Sequence, residues 1–360
     1  MNRVAHDAHT LALTIAFLVA IMVLAQASAD EGLFAALGAR AARLAGASKV
    51  RLLLLSIALA AVVTVTLSLD ATVVLLTPVL VAAAALRNAR PYAFTSVRLA
   101  NSASTLLPVS NLTNLLVFGA TGLSFLGFTR AMAPVWVVAI VLEFVVLRWW
   151  FRDEVGASSP MPSANLPALP WLALVVVAAV LVALVAGVLP AIAAAVGALV
   201  LGSYALRRRR TTWRALVAAA NLPLAAIVFI WGTAAAAIAR TDWAEQLGGA
   251  LPDGTSLGAL LIVAFVAMVA ANLINNLPAT LLLLPAVTAI GPAALLALLI
   301  GVNVGANLTL VGSLANILWW RSTGPEVASL RTFHLLGITS TPLIVAVCTT
   351  ALWAWTTLVW

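Results

Sequence analysis

Asp70 lies inside a run of apolar residues, in the stretch LDATVVLLTP from Leu69 to Pro78. A carboxylate within a long apolar segment is costly to keep charged, so it is a functional candidate by default, as a proton carrier or a cation ligand. Glu143 is the other acid deep in an apolar run; it lies five residues before Arg148 and either snorkels or pairs nearby, or takes a coupling role. Around Asp70 the chemistry is uncharged. Ser110, Asn111, Thr113 and Asn114 form one polar cluster, and Asn303, Asn307, Thr309, Ser313 and Asn316 form another. Short amide and hydroxyl side chains of this kind can replace the hydration shell of a small solute, or they can join helices by hydrogen bonds. Read as four clusters with the two NNLPAT and LDAT stretches, they form a site.

Other chemistries are excluded by inventory. His6, His9 and His334 are the histidines and Cys348 the one cysteine, so no internal disulfide, metal cluster or nucleophile–base pair is available, and no cofactor is implied. The chain is not read as an enzyme. Gly301, Gly305 and Gly312 fit neither a dinucleotide-binding nor a phosphate-binding loop.

The clusters repeat. LDATVVLLTP is followed by LANSASTLLPVSNLTNLLVF (residues 99–118), and NNLPATLLLLPA (residues 275–286) by GVNVGANLTLVGSLANILWW (residues 301–320). Asp70-Ala71-Thr72 falls on Pro278-Ala279-Thr280, and Asn101 and Asn114 fall on Asn303 and Asn316. Paired polar interruptions of apolar segments are the expected signature of a transporter built from inverted repeats, with its site near the bilayer midplane.

Composition sets the surroundings. Of 360 residues, 64% are hydrophobic and 8% charged, and mean hydropathy is +1.14. Soluble domains carry roughly 25% charged residues, so this chain is an integral membrane protein, and its continuous Ala/Leu/Val runs make it helical rather than a barrel. The net charge of +8 belongs to basic loops between apolar segments and not to nucleic-acid binding. The expected fold is an all-α polytopic membrane protein with two inverted repeats, each holding a re-entrant helical hairpin and a discontinuous helix. Residues 1–151 form the first repeat, with a span at 10–29, an interfacial helix at 31–46, a hairpin at 50–87, a broken helix at 92–121 and a span at 133–151. Residues 152–217 are a linker with two spans (169–188 and 190–206). Residues 218–360 form the second repeat, with a span at 218–239, a polar stretch at 240–256, a hairpin at 257–290, a broken helix at 292–320 and a span at 332–358. AQASA before Asp30 resembles a signal-peptidase site, but the segment is long and has a counterpart at 218–237, so it is read as a retained span.

Pro108 to Asn111 supplies the break in the first long segment, which at 30 residues would reach about 45 Å as a continuous helix. Eight full spans place both termini outside, and all Lys and Arg residues except Arg3, Arg130 and Arg240 then fall on the cytoplasmic side. Trp149, Trp150, Trp171, Trp319, Trp320 and Trp360 are expected at interfaces, and Arg207 to Arg210 act as a topology signal.

LSLDATVVLLTP, SASTLLPVSNLTNLLV, NLINNLPATLLLLP and GVNVGANLTLVGSLANILW resemble the signatures of bacterial arsenite efflux permeases, members of the ion transporter superfamily that also holds divalent anion/sodium symporters and citrate transporters. The resemblance spans roughly residues 10–358. It implies the hairpin and broken-helix fold, homodimers, a plasma-membrane location, and solute or ion contacts at Asp70, Thr72, Ser110, Asn111, Asn114, Asn275, Asn276, Thr280, Asn303, Asn307, Thr309 and Ser313. Leu69 stands where those permeases carry Asn. The sodium symporters carry Ser-Asn-Thr at their hairpin tips and this chain does not, which favours arsenite efflux coupled to protons through Asp70 over a carboxylate or inorganic-anion transporter. The implied partners are a small inorganic solute, protons and the lipid bilayer.

Overall fold

The computed structural model describes residues 3–84, 88–155, 166–238, 249, 251–252, 254–324, 327 and 329–359. The described residues form helices and connections, with no strand among them. Seven helical stretches, Leu11–Asp30, Lys49–Leu67, Phe125–Trp150, Pro190–Arg207, Trp213–Trp231, Leu257–Ile274 and Leu330–Val359, are long and apolar enough to cross a membrane. The protein is a multi-pass membrane protein.

The first half begins with α1 (Arg3–Asp30) and the short amphipathic α2 (Leu33–Ala45). The hairpin follows as α3 (Lys49–Leu67) and α4 (Leu69–Ala83). A broken helix comes next: α5 (Arg90–Ser102), a 3-10 turn (Ala103–Thr105), then α6 (Leu112–Thr121). The long α7 (Phe125–Trp150) closes this half. α8 (Trp171–Val185) and α9 (Pro190–Arg207) link the halves. The second half repeats the plan with α10 (Trp213–Ala219), α11 (Leu222–Ile238), the hairpin α12 (Leu257–Ile274) and α13 (Asn276–Thr288), and the broken helix α14 (Pro292–Asn303) and α15 (Leu314–Thr323). It ends with α16 (Leu330–Val359).

Several boundaries differ from expectation for local reasons. α7 starts at Phe125, not 133. The Ser124 hydroxyl caps it by accepting from the Gly127 amide at 3.0 Å, and neither Arg130 nor Pro134 stops it. The expected span at 169–188 is a 15-residue helix, α8, bounded by Pro170 and by Gly187 at φ 86°. At about 1.5 Å per residue it is shorter than a hydrocarbon core of about 30 Å. The span expected at 218–239 starts earlier, as α10, and turns at Asn221 (φ 45°) into α11. The polar stretch at 240–256 lies mostly outside the described residues, as do Arg87 and Glu326.

Contacts at helix ends fix how the elements run. Glu154 accepts from Arg90 at 3.2 Å, and its carbonyl from Lys49 at 3.1 Å, so the two outer ends of the first hairpin meet at one end of the bundle. Thr332, at the start of α16, accepts from Arg90 at the same end. The Trp319 indole N–H, near the end of α15, donates at 2.9 Å to Ala93 O near the start of α5. The two broken helices therefore lie antiparallel. Trp319 is fully buried against Phe94 and Phe333, in contrast to its expected interfacial position, because its one donor finds a backbone carbonyl inside the bundle.

Close approach of helices uses glycine where a β-carbon has no room. At Gly301 one would sit 2.2 Å from Ala264 O and 2.6 Å from the Ala267 β-carbon, on the seam of α12 and α14. Gly301→Ala is expected to cost about 1–3 kcal/mol through overpacking and to lower the melting temperature of the detergent-purified protein. Gly119→Ala, at a site with no atom within 4 Å, serves as the unaffected control in the same melts.

Candidate functional site

The two hairpins turn without a loop. α3 passes to α4 through Ser68 (φ 119°, ψ 165°), and α12 passes to α13 through Asn275 (φ 78°, ψ 153°). Both residues occupy a backbone region reserved almost wholly for glycine, a strain on the order of 1–3 kcal/mol at each tip. Local bonds hold the first tip: Thr72 Oγ1 lies 2.7 Å from Thr64 Oγ1 and donates to Ser68 O at 3.2 Å. A π-helical turn over Thr72–Leu76 follows, a feature common at functional positions. Thr77 Oγ1 then fixes α4 to α5 by donating to Ser96 Oγ at 2.7 Å. At the second tip Asn275 Nδ2 donates to Val311 O at 2.9 Å, and Thr280 Oγ1 to Asn276 O at 2.7 Å.

The broken helices are repaired by asparagines in the same way on both sides. Asn114 Nδ2 donates to Ser104 O and Leu107 O at 2.7 and 2.9 Å; Asn316 Nδ2 donates to Ala306 O and Thr309 O at 2.8 and 3.0 Å. These are carbonyls that the breaks would leave unpaired. The two halves then interlock. Asn101 Nδ2 donates to Asn316 Oδ1 at 2.7 Å and to Asn307 Oδ1 at 2.8 Å, while Asn303 Nδ2 donates to Asn114 Oδ1 at 2.7 Å. Asn303 Oδ1 also accepts from Asn111 Nδ2 at 2.8 Å and Thr113 Oγ1 at 2.7 Å. Ser110 Oγ ties the first break to the hairpin by donating to Val65 O at 3.1 Å. Thr309, through its amide and hydroxyl, ties the second break to Asn272 Oδ1 at 2.9 and 2.8 Å.

A buried ion pair anchors this lattice. Glu143 pairs with Arg98 rather than Arg148; both side chains are essentially unexposed. Arg98 is thus no cytoplasmic loop charge but lies on α5, one turn before Asn101–Ser102. Its Nε and Nη2 both donate to the Glu143 carboxylate, and Nη2 also donates to Ser340 Oγ at 3.1 Å. Glu143 Oε1 accepts from Ser102 Oγ at 2.7 Å and from Asn307 Nδ2 at 3.3 Å. One network therefore joins α5, α7, α16 and the 3-10 turn Val304–Leu308. In sequence, Arg98 and Glu143 lie 45 positions apart, so no helical spacing pairs them.

Ser68, Asn275, Asn111 and Ser313 each begin a helix: α4, α13, α6 and α15. All four line one cavity of about 350 Å³, together with Asp70, Thr113, Asn276 and apolar residues of α1 and α11. Four helix N-termini, with their partial positive charge, thus border one space. Among the described residues no Lys or Arg lines it, and no donor bonds the Asp70 carboxylate. Of the residues expected in the site, Asp70, Asn111, Thr113, Asn275, Asn276 and Ser313 line this cavity. Thr72, Ser110, Asn114, Thr280, Asn303, Asn307, Thr309 and Asn316 do not; they hold the tips and breaks that shape it. Ser68, Asn101, Asn272 and Arg98 were not among the expected site residues. The polar interruption of an apolar run marked Asn101 and Asn272, and nothing local marked Arg98.

Residues 7–296 match the citrate transporter family CitMHS, and the chain belongs to that family. It is also similar to proteins named arsenical pump membrane protein: 28% identical over 281 residues to those of Escherichia coli K12 and Shigella flexneri, covering 69% of this chain and 64% of each relative. The chain thus matches somewhat under two thirds of the length of these relatives. Among solved structures, the Alcanivorax borkumensis YdaH transporter, described as having an unusual topology, aligns over 99% of this chain and 87% of its own at TM-score 0.60 and 16% identity, which shows a shared fold. The protein is a multi-pass membrane protein of this family.

Glu143→Ala should destabilise the protein by about 3–5 kcal/mol, because it leaves Arg98 charged, buried and unpaired. The double variant Arg98→Met/Glu143→Leu should recover part of that loss. Melting curves of the three purified proteins check both statements.

Proposed function

We propose that this transporter is a secondary carrier that exports a small hydroxylated inorganic solute, arsenite in the first place, in exchange for protons carried by Asp70. The observation that carries the reading is the cavity where four helix N-termini meet a carboxylate that has no hydrogen-bond partner among the described residues. Arsenite at neutral pH is the uncharged As(OH)₃. Its oxygens need N–H and O–H donors and its hydroxyls need acceptors, which Asn111, Thr113, Asn275, Asn276, Ser313 and Ser68 supply together. Asp70 is the titratable group among the described lining residues. Protonation would remove the cost of its charge in an apolar setting, which links solute binding to proton binding at one place. The names of the arsenical pump relatives support the solute.

A second reading, transport of a carboxylate such as citrate or of an inorganic anion, draws on the family match and on the four helix N-termini, which favour negative charge. It is the weaker fit, because a multiply charged anion would meet the Asp70 carboxylate in a cavity whose described lining has no cation. In the proposed arrangement residues 1–151 and 218–360 are inverted repeats flanking a linker at 152–217. The protein sits in the bacterial plasma membrane as a homodimer, with both termini outside.

Uptake into everted membrane vesicles tests the function. Arsenite accumulation should depend on an imposed pH gradient, and citrate should not compete. Accumulation that is indifferent to collapse of the gradient would contradict proton coupling. Asp70→Asn should abolish gradient-driven uptake, whereas Leu69→Asn, which adds a polar group at the tip, should increase it. Full coupled transport by Asp70→Asn would remove Asp70 from the mechanism.

A further inference from the structure

Asp70 borders a second cavity, of about 440 Å³, which shares Ser68 and Asp70 with the first. Their order along α1 is unambiguous. Phe17, Leu18 and Ile21 face the first cavity, and Met22, Ala25 and Gln26 face the second. The other wall agrees: Leu224, Ile227 and Trp231 line the first, while Ala215, Ala218, Ala219 and Asn221 line the second. The first hairpin tip is therefore a partition between two spaces stacked along α1. The second space lies toward the end where α1 stops, with Glu31 at 3.9 Å from Arg208 of the Arg207–Arg210 run.

The two spaces differ in what they could hold. Asn111, Thr113, Asn275, Asn276 and Ser313 line the first, and none of them lines the second. Apart from the shared Ser68 and Asp70, its polar lining is Gln26 and Asn221. A hydroxylated solute would find almost no ligands there. A proton needs only water and a carboxylate. At the far end Gln26 Nε2 donates to Asp30 Oδ1 at 2.8 Å, and Asp30 Oδ2 and Glu31 Oε1 are buried with no hydrogen-bond partner. Asp30, Glu31 and the Arg207–Arg210 run lie at that end, with Arg214 next to the lining Ala215, and no charged side chain other than Asp70 is among the described residues lining either cavity.

We infer that the second cavity is the proton's own passage, leading from Asp70 past Asn221 and Gln26 to Asp30, while the solute uses the first cavity. The inference rests on the reading that Asp70 carries the coupling proton. In the releasing step the Asp70 O–H bond breaks and its proton passes to a water of the passage. Successive waters hand on one proton each, the last at Asp30 releases it to the aqueous phase, and Asp70 is left as carboxylate.

The test uses the full chain reconstituted in liposomes holding a pH dye. Two readouts are taken: proton flux driven by a gradient of arsenite (or of citrate, if that is what the wild type moves), and solute-for-solute exchange at equal pH. Ala219→Cys can be plugged after reconstitution with a methanethiosulfonate, because Cys348 is fully buried. Plugging is expected to cut proton flux about tenfold, equivalent to about 1.4 kcal/mol of added barrier, and to leave exchange intact. Gln26→Leu should act in the same direction, and Asp70→Asn should abolish flux. Parallel loss of flux and exchange on plugging would put the second cavity on the solute path and overturn the inference. Unchanged flux after plugging, with flux lost in Asp70→Asn, would overturn the passage alone. Flux retained by Asp70→Asn, or no proton movement by the wild type with either solute, would end the coupling reading and the passage with it.

Discussion

The structure depends on one exchange of amide hydrogen bonds between two broken helices. Asn101 reaches Asn316, and Asn303 reaches Asn114, both at 2.7 Å. Asn114 and Asn316 are thereby held where each can cap two carbonyls left open by its own break. Interhelical hydrogen bonds in a membrane average only about 0.6 kcal/mol, so the lattice's contribution is not chiefly net stability. Losing a partner is the larger effect, because an orphaned buried polar group costs about 1–3 kcal/mol. The lattice therefore allows irregular backbone inside an apolar bundle, and it fixes that backbone in one arrangement.

Everything nearer the cavity follows from this. Once the breaks are paid for, Asn111 and Ser313 can start α6 and α15 at the cavity wall, opposite helices started by Ser68 and Asn275. The Arg98–Glu143 pair extends the lattice to α7 and α16, so the long helices of both halves share the support. The hairpin tips are built on different terms. Each carries one residue in a strained conformation, with few bonds to the neighbouring helices, and Asp70 stands on the first tip between two cavities. The interlocked breaks read as the fixed frame, and the strained tips as the parts suited to move.

Much of this was legible in the sequence because a polar interruption in an apolar run is a strong local signal. It located both tips and both breaks, and the overlay of Asn101 and Asn114 on Asn303 and Asn316 matched the residues that bond across the halves. The sequence was less able to separate residues that face the cavity from residues that hold it. Asn114, Asn303, Asn307 and Asn316 look like solute ligands by type, yet backbone carbonyls and one another consume their bonds. Arg98 was missed, and Glu143 was left without a distant partner, because pairing across α5 and α7 is a tertiary contact that helical spacing does not encode. Trp319 went wrong for the same reason: its carbonyl partner, Ala93, lies in the other half. The start of α7 was misjudged because Arg130 and Pro134 interrupt the hydropathy pattern without interrupting the helix.

The central claim is that the solute sits among the four helix starts, beside Asp70. The most direct measurement is the anomalous diffraction of crystals soaked in arsenite, recorded at the arsenic edge. The account predicts an arsenic peak in the cavity bounded by Ser68, Asp70, Asn111, Asn275, Asn276 and Ser313, lost in the Asn276→Leu/Ser313→Ala variant. Arsenic bound elsewhere in the bundle, with this cavity empty, would contradict it.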